Sequence, residues 1–227
     1  MISVIIPTLD EAAALPALLR ALGAQDEAAE VVVADGGSQD GTADLARAAG
    51  ARVVAAPRGR GSQLAAGAEA ARGDVLLFLH ADSLFPAGGL ARIREALDAA
   101  PAAVGGNFRL VFDGETSFDR RLTAVYNRMR ARGLYYGDSG IFVRRSAYDA
   151  IGGFRAYAVM EDYDFVARLE RFGATLFIDE PPLVTSSRKF AGRRSHRIVW
   201  GWLVLHALYH MGVSPERLAR IYYPDRA

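Results

Sequence analysis

Apolar residues fall into short runs that alternate with stretches of helical spacing. Ile2–Ile6 is an apolar run rich in β-branched residues and reads as a buried parallel strand, stopped by Pro7. Leu15, Leu18, Leu19 and Leu22 then recur at helical spacing. Glu30–Ala34 predicts a second strand ending at Asp35, and Gly36-Gly37-Ser38 the turn after it. A short helix follows over Thr42–Ala49, closed by Gly50. Arg52–Ala56 and Val75–Leu79 predict strands on either side of an Ala-rich helix, Arg60–Ala71, and Pro86–Ala99 is helical. This βαβαβαβ order implies a parallel sheet with right-handed crossovers.

The second half changes character. Ala103–Phe112 reads as a longer strand turned out of the parallel sheet, Phe118–Arg132 as a helix, and Gly140–Arg145 as a strand after a glycine turn. Tyr163–Phe172 is helical, with Phe165, Val166, Leu169 and Phe172 on one side, and Thr175–Ile178 is a final strand broken by Pro181-Pro182. Ser195 to Met211 forms an apolar-rich helix, followed by Pro215–Tyr222. The predicted class is α/β: a mostly parallel, Rossmann-like sheet flanked by helices, with a C-terminal helical tail. Residues 1–185 are expected to form one domain, with a nucleotide half (1–100) and an acceptor half (101–185), and 186–227 an extension.

Composition narrows the picture. With 227 residues the chain buries an ordinary core without staples, and it contains no cysteine, which excludes disulfides and thiolate chemistry. The net charge of +1 gives no global field for nucleic acid. No secretory leader is evident, because the first strand pattern starts at Ile2. The longest apolar stretch, Ile198–Val213, is interrupted by His206 and His210 and is short for a bilayer span. A cytoplasmic protein is the expectation, with a peripheral position at the inner membrane face as the second placement.

Three motifs sit at the ends of apolar runs, where an open α/β sheet builds its ligand site. They are Pro7-Thr8-Leu9-Asp10-Glu11, Asp35–Thr42 and Leu79-His80-Ala81-Asp82-Ser83. At Asp35 an exposed carboxylate beside Gly36 can accept from a base N–H or a ribose hydroxyl; an Asx turn capping the next helix is the plainer role. Asp82 suits a divalent cation, Mn²⁺ or Mg²⁺, bound to a diphosphate, because phosphate oxygens and water complete the shell. His80 is a weaker ligand candidate, since a histidine at a strand end is more often a hydrogen-bonded structural residue. Arg60 and Gln63, at the opening of the Arg60–Ala71 helix, suit phosphate or nucleobase contact, against a solvated loop capped by Ser62.

A fourth motif, Met160-Glu161-Asp162-Tyr163-Asp164, opens a helix. An acceptor hydroxyl must lose its proton as it attacks a sugar carbon, and Asp162 is the candidate base. The alternative is acidic charge stabilising a helix N-terminus. Gly137-Asp138-Ser139-Gly140 is expected to shape the acceptor floor, with Asp138 and Ser139, together with Glu161, on that side, although a plain turn fits equally. His206 and His210 share a helix face, but Ala207 stands where a zinc-protease motif needs Glu, so packing is expected there. The cluster from Ser186-Ser187-Arg188-Lys189 to Arg193, Arg194, His196 and Arg197 suits either a diphosphate clamp or a solvated flank.

With these residues in view, the chain resembles the family 2 glycosyltransferases with the GT-A fold. The likeness rests on Pro7–Glu11, Asp35–Thr42, Leu79–Ser83, Gly137–Arg145, Gly152-Gly153-Phe154 and Glu161–Leu169. The short length and the ending Gly212–Tyr223 resemble a narrower group named for genomic association with radical-SAM and selenium-related proteins. The resemblance implies inverting, metal-dependent transfer from a nucleoside-diphosphate sugar, with uridine as the expected base. On that footing Glu11 and Asp35 hold the nucleoside, Asp82 the metal, and Asp162 is the base. Pro7, Thr8, Gly36, Arg60, Gln63 and Ala81 complete the donor site. The family's Asp-x-Asp motif reads His80-Ala81-Asp82 here, and the Gln-x-x-Arg-Trp motif of polymer-making members is absent. A single sugar added to a small molecule or lipid carrier is the implied reaction.

A nucleotidyltransferase is the first rival, but such enzymes place a Gly-rich basic loop after strand one, where Thr8-Leu9-Asp10-Glu11 stands here. A dinucleotide oxidoreductase lacks its third glycine after Gly59-x-Gly61. A sugar-nucleotide-binding module without catalysis is the third alternative. The tail carries Trp200, Trp202, Leu203, Leu205, Leu208 and Tyr209 beside basic residues, which suits packing or a homodimer seam ahead of a membrane surface.

Overall fold

The computed structural model describes residues 1–187 and 195–222, with side chains from 198 onward in the second segment. Arg188, Lys189, Arg193 and Arg194 of the basic cluster, the side chains of His196 and Arg197, and Tyr223 therefore lie outside the described residues. Seven strands form one sheet in the order β3-β2-β1-β4-β6-β5-β7. They are β1 (Ile2–Thr8), β2 (Ala29–Asp35), β3 (Arg52–Ala55), β4 (Val75–Phe78), β5 (Gly105–Phe112), β6 (Ile141–Arg144) and β7 (Thr175–Thr185). The helices are α1 (Leu15–Gly23), α2 (Thr42–Ala48), α3 (Arg60–Ala70), α4 (Gly89–Ala99), α5 (Ser117–Arg130), α6 (Arg145–Ala150), α7 (Glu161–Phe172), α8 (Ser195–His210) and α9 (Pro215–Tyr222).

Alternation along β1 sorts the two helical layers. Ile2, Val4 and Ile6 pack with Leu15 and Leu18 of α1, Ala46 of α2 and Leu90 and Ile93 of α4. Ile5 on the opposite face packs with Leu64 and Ala68 of α3, Tyr148 of α6 and Phe165 and Leu169 of α7. Covering both faces is what a parallel sheet requires, and it explains why the central strands read as apolar runs. The chain leaves β1 for β2 on one side and returns to β4 on the other. A crevice opens at such a reversal, beyond the strands' carboxyl ends.

Three expectations are revised. β5 keeps the direction of β1–β4; the reversed strand is β6, antiparallel to both β4 and β5. β7 does not stop at Ile178 but runs on through Pro181-Pro182 to Thr185, with a register shift against β5 between Phe108 and Leu110. It is an edge strand, where a missing proline N–H need not cost a ladder bond. The Gly140–Arg145 pattern divides into β6 and α6, because Arg145 turns back to donate to the Ala71 and Gly73 carbonyls at the end of α3.

The tail packs on the second half of the chain. Ile198 and Trp202 of α8 lie against Leu110, Phe112 and Leu122. Leu205 and Leu218 bury Val159 and Met160, just before α7. Among the described residues no helix is long and apolar enough to cross a membrane.

Candidate functional site

The crevice at the switch point is a cavity of about 220 Å³ lined by Pro7, Glu11, Arg60, His80, Ala81, Asp82, Thr185 and Ser186. Each wall has a local cause. Thr8 and Asp35 are register partners at the ends of β1 and β2. Asp10, Ser38, Asp40 and Thr42 then lace the two following loops: Asp10 N–H donates to Ser38 Oγ, Glu11 N–H to Thr42 Oγ1, and Ala12 N–H to Asp40 Oδ2. These bonds fix the backbone from which Glu11 reaches the cavity. An antiparallel bridge between Leu84 and Val184 brings Thr185 and Ser186 into the lining with Asp82.

Asp35 is 8 % exposed and its carboxylate accepts four hydrogen bonds, from Thr8 Oγ1, the Gly37 and Ser38 amides and Ser38 Oγ. Burial pushes its pKa up, but the donors outweigh it and the net shift is downward. Asp35 thus shapes the turn as an ionised group, and a ligand N–H must share an oxygen with Ser38. Gln63 is 4 % exposed and its amide donates to the carbonyls of Thr8 (2.6 Å) and Ala34 (3.0 Å), tying α3 across β1 and β2. It does not line the cavity. Gly36 is needed beneath it, since a Cβ there would sit 3.0 Å from Gln63 Nε2.

Glu161 and Asp162, at the start of α7, stand behind Arg60 rather than in the cavity lining. The Arg60 guanidinium pairs with Glu161 through Nε, lies 3.7 Å from Asp162 Oδ2 through Nη2, and approaches His80 Nε2 at 3.4 Å through Nη1. Glu161 is almost wholly buried and its pKa is raised: desolvation is the largest cause, Asp162 adds to it, and Arg60 opposes it. Asp162 accepts from Gly137 N–H at 3.0 Å and from Tyr163 N–H at 2.8 Å. A Cβ on Gly137 would meet His80 Nε2 at 3.0 Å and Asp162 Oδ2 at 3.4 Å, so these three groups converge. Asp138 and Ser139 are buried in the short 3₁₀ turn Gly137–Ser139, outside the cavity lining, and Ser139 Oγ donates to the Tyr136 carbonyl.

The chain enters α7 through Met160, a buried residue at φ 67°, in the left-handed region that costs a non-glycine residue about 1–3 kcal/mol. The segment before it is wedged against α3. A Cβ on Gly61 would fall onto the Arg155 carbonyl oxygen and within 3.0 Å of the Tyr157 backbone. Gly61→Ala is therefore expected to destabilise the fold by about 1–3 kcal/mol. Gly23→Ala, which meets open space at the end of α1, is the control and is expected to be neutral or slightly stabilising. Paired thermal melts check this, and equal melting temperatures would refute the close approach.

The donor chemistry fits a metal at Asp82 better than at His80. Both line the cavity, but His80 turns its Nε2 toward Arg60 and Gly137. No group of three or more potential ligands gathers among the described residues, so a cation here would take most of its shell from a diphosphate and water. Thr185 was not legible as a lining residue, because Pro181-Pro182 hides the strand that delivers it. Tyr136 lay outside every motif, and the motif holding Met160 and Tyr163 gave no sign that these two residues meet the tail.

A mostly parallel sheet with a switch-point crevice, an acid past β4 and an acid pair opening α7 has the architecture of a GT-A type glycosyltransferase. The sequence model of the family described as "Glycosyl transferase family 2" matches residues 3–162, and the chain belongs to that family. It is 35 % identical over 240 residues to a PGL/p-HBAD biosynthesis glycosyltransferase of Mycobacterium bovis, covering 97 % of this chain and 84 % of the relative. Among solved structures it is similar to a mannosyltransferase from Pyrobaculum calidifontis in complex with GDP-Man and Mn²⁺ (TM-score 0.71, 20 % identity, 99 % of this chain and 68 % of that one). It is also similar to glucosyl-3-phosphoglycerate synthase from Mycobacterium tuberculosis in complex with Mn²⁺, UDP and glucosyl-3-phosphoglycerate (TM-score 0.67, 20 % identity, 94 % and 80 %).

Proposed function

We propose that this glycosyltransferase moves one sugar, with inversion, from a nucleoside-diphosphate sugar to a hydroxyl of a small or lipid-linked acceptor. The observation that carries the reading is the position of Arg60. It starts in the nucleotide half (1–100), lines the cavity with Asp82, and ends on Glu161 and beside Asp162 of the acceptor half (101–185). Glu11 and the β1–β2 loops bind the nucleoside end, with Asp35 sharing an oxygen as described. Arg60 offers its guanidinium to the diphosphate. Asp82 would hold a divalent cation, which when bound neutralises charge on the departing diphosphate. On the acceptor side Asp162 takes the hydroxyl proton as the acceptor oxygen bonds to the anomeric carbon. The bond from that carbon to the diphosphate oxygen breaks, and the nucleoside diphosphate leaves with its electron pair. The two fold neighbours were complexed with a guanosine and a uridine nucleotide, so both bases belong in the test.

The acceptor reading draws on the tail. Trp200 (67 % exposed), Leu203 and Ile221 form an apolar outer surface of α8 and α9, beside exposed Arg217 and Arg220 on α9. That surface suits either a second copy of the chain or a membrane carrying a lipid-linked acceptor.

A thermal-shift panel of UDP, GDP, CDP and dTDP, with and without Mn²⁺, tests the donor site. At a hundredfold excess over Kd, binding adds about 2.7 kcal/mol, or roughly 5–10 °C for a chain of this size. One diphosphate is expected to stabilise, more with Mn²⁺, and Asp82→Ala is expected to abolish the Mn²⁺ increment. No response to any diphosphate would sink the proposal.

A further inference from the structure

His206 and His210 stand one turn apart on α8, and neither is part of the donor cavity. Each meets a tyrosine. His206 Nε2 lies 3.0 Å from Tyr136 Oη, and His210 Nε2 lies 2.9 Å from Tyr163 Oη. Those tyrosines are the immediate neighbours of the two groups that form the 3.0 Å bond at the acceptor site: Tyr136 precedes Gly137, the donor, and Tyr163 follows Asp162, the acceptor. The two rings stack on one another at 6.4 Å with an interplanar angle of 27°, and His206 packs edge-on against Tyr163 at 4.8 Å. Burial pushes the Tyr136 phenol up and the His206 imidazole down; His210 also lowers the latter and Asp162 opposes. The Tyr136–His206 contact is thus between neutral groups at neutral pH.

The same helix holds the segment in two further ways. Leu205 of α8 and Leu218 of α9 bury Val159 and Met160, where the backbone takes the left-handed turn into α7. Tyr209 Oη donates to Asp164 Oδ1 at 3.3 Å. A backbone held off its preferred basin persists only where its surroundings over-determine it, and here the tail supplies those surroundings.

We propose that α8 is a positioning element of the acceptor site, with His206 and His210 clasping Tyr136 and Tyr163 so that Gly137 and Asp162 keep their mutual geometry. The inference rests on the reading of Asp162 as the base, and it makes the tail part of the enzyme's working structure. His206 and His210 touch neither the sugar nor the reacting oxygen; they act through the tyrosines.

The test is residue-resolved hydrogen exchange by NMR on the full chain, which needs no acceptor. The Gly137 amide reports the bond to Asp162, and the β1 amides of Val4–Ile6 report the fold as a whole. In a Tyr136→Phe/Tyr163→Phe variant the rings remain and only the hydroxyls go. Exchange at Gly137 and at the Tyr163 amide is expected to rise about tenfold, with β1 exchange within twofold of native. His206→Ala/His210→Ala is expected to do the same, and His206→Gln, whose amide can still pair with a phenol, to stay near native. Gly137 exchange within twofold of native in both double variants would overturn the clasp. A rise of equal size at β1, or no recovery in His206→Gln, would also overturn it, because the helix would then be only a source of global stability. Asp162→Asn separates this from the base assignment: native turnover in that variant removes the base reading and leaves the exchange result standing.

Discussion

Asp162→Asn is expected to lower kcat by about 10²–10⁴-fold, the range that general-base catalysis supplies, while nucleoside-diphosphate binding stays within about twofold of native. Asp162 is only 9 % exposed, and its two oxygens each accept one backbone N–H, from Gly137 and Tyr163. Those bonds fix the carboxylate beside Arg60, where the proposed mechanism brings the acceptor hydroxyl. Asparagine keeps the shape but cannot take a proton. It also turns an NH₂ toward one of the two N–H donors, leaving that donor unmatched at a cost of about 1–3 kcal/mol. The variant is therefore expected to melt lower as well as turn over slowly. Diphosphate binding by thermal shift separates the two effects, because the proposed donor contacts come from β1, β2, α3 and the loop after β4. Native turnover in this variant would end the assignment of Asp162.

Arg60→Ala is expected to act on both stability and donor binding. Glu161 is 1 % exposed and Arg60 is its ion-pair partner, so removing the guanidinium leaves a buried carboxylate uncompensated. Arg60 is itself 43 % exposed in its side chain, and solvent screening keeps the loss to about 1–3 kcal/mol at neutral pH. The pH dependence has a definite sign. The folded pKa of Glu161 lies above the ordinary 4.5, so its stabilising contribution is fully present below the unfolded value and is lost as pH rises through the folded one. Deleting Arg60 raises that folded pKa further. The gap between Arg60→Ala and native is thus expected to be wide at pH 7 and to shrink as pH falls toward 4.5. Urea melts at the two pH values measure it, and a gap independent of pH would show that Glu161 is not the group exposed by the substitution. Loss of the one charge-assisted phosphate contact proposed for Arg60 also predicts diphosphate binding weaker by roughly tenfold.

Arg60 and Gln63 show where residue type misleads. Both open α3 and both suit phosphate, yet one reaches the cavity and the other spends its amide on the Thr8 and Ala34 carbonyls. They are three positions apart, close to one helical turn, and the ends of two strands rather than sequence spacing decide which side chain finds water and which finds backbone. Asp35 was read as either a ligand group or a turn former, and three of the four donors around it belong to the turn, with Thr8 of β1 the fourth. His80 was read with Asp82 because the two are two positions apart, and both line the cavity, but beyond the end of β4 the imidazole turns its Nε2 toward Arg60.

What the sequence by itself determined is the part written in local pattern. Apolar runs, glycine turns and helical spacing were enough for the α/β class, the first four strands and the placement of Pro7–Glu11, Asp35 and His80-Ala81-Asp82 at strand ends, because burial on both faces and turn geometry act over a few residues. The reversal of β6, the continuation of β7 to Thr185 and the meeting of Arg60 with Glu161 were decided only by tertiary structure. Each depends on partners far apart in the chain: an edge that tolerates proline, a neighbour that runs antiparallel, a buried acid whose charge is offset from 101 residues away. The contacts of His206 and His210 with Tyr136 and Tyr163 are of the same kind, since a helix face records which residues point together but not what they meet.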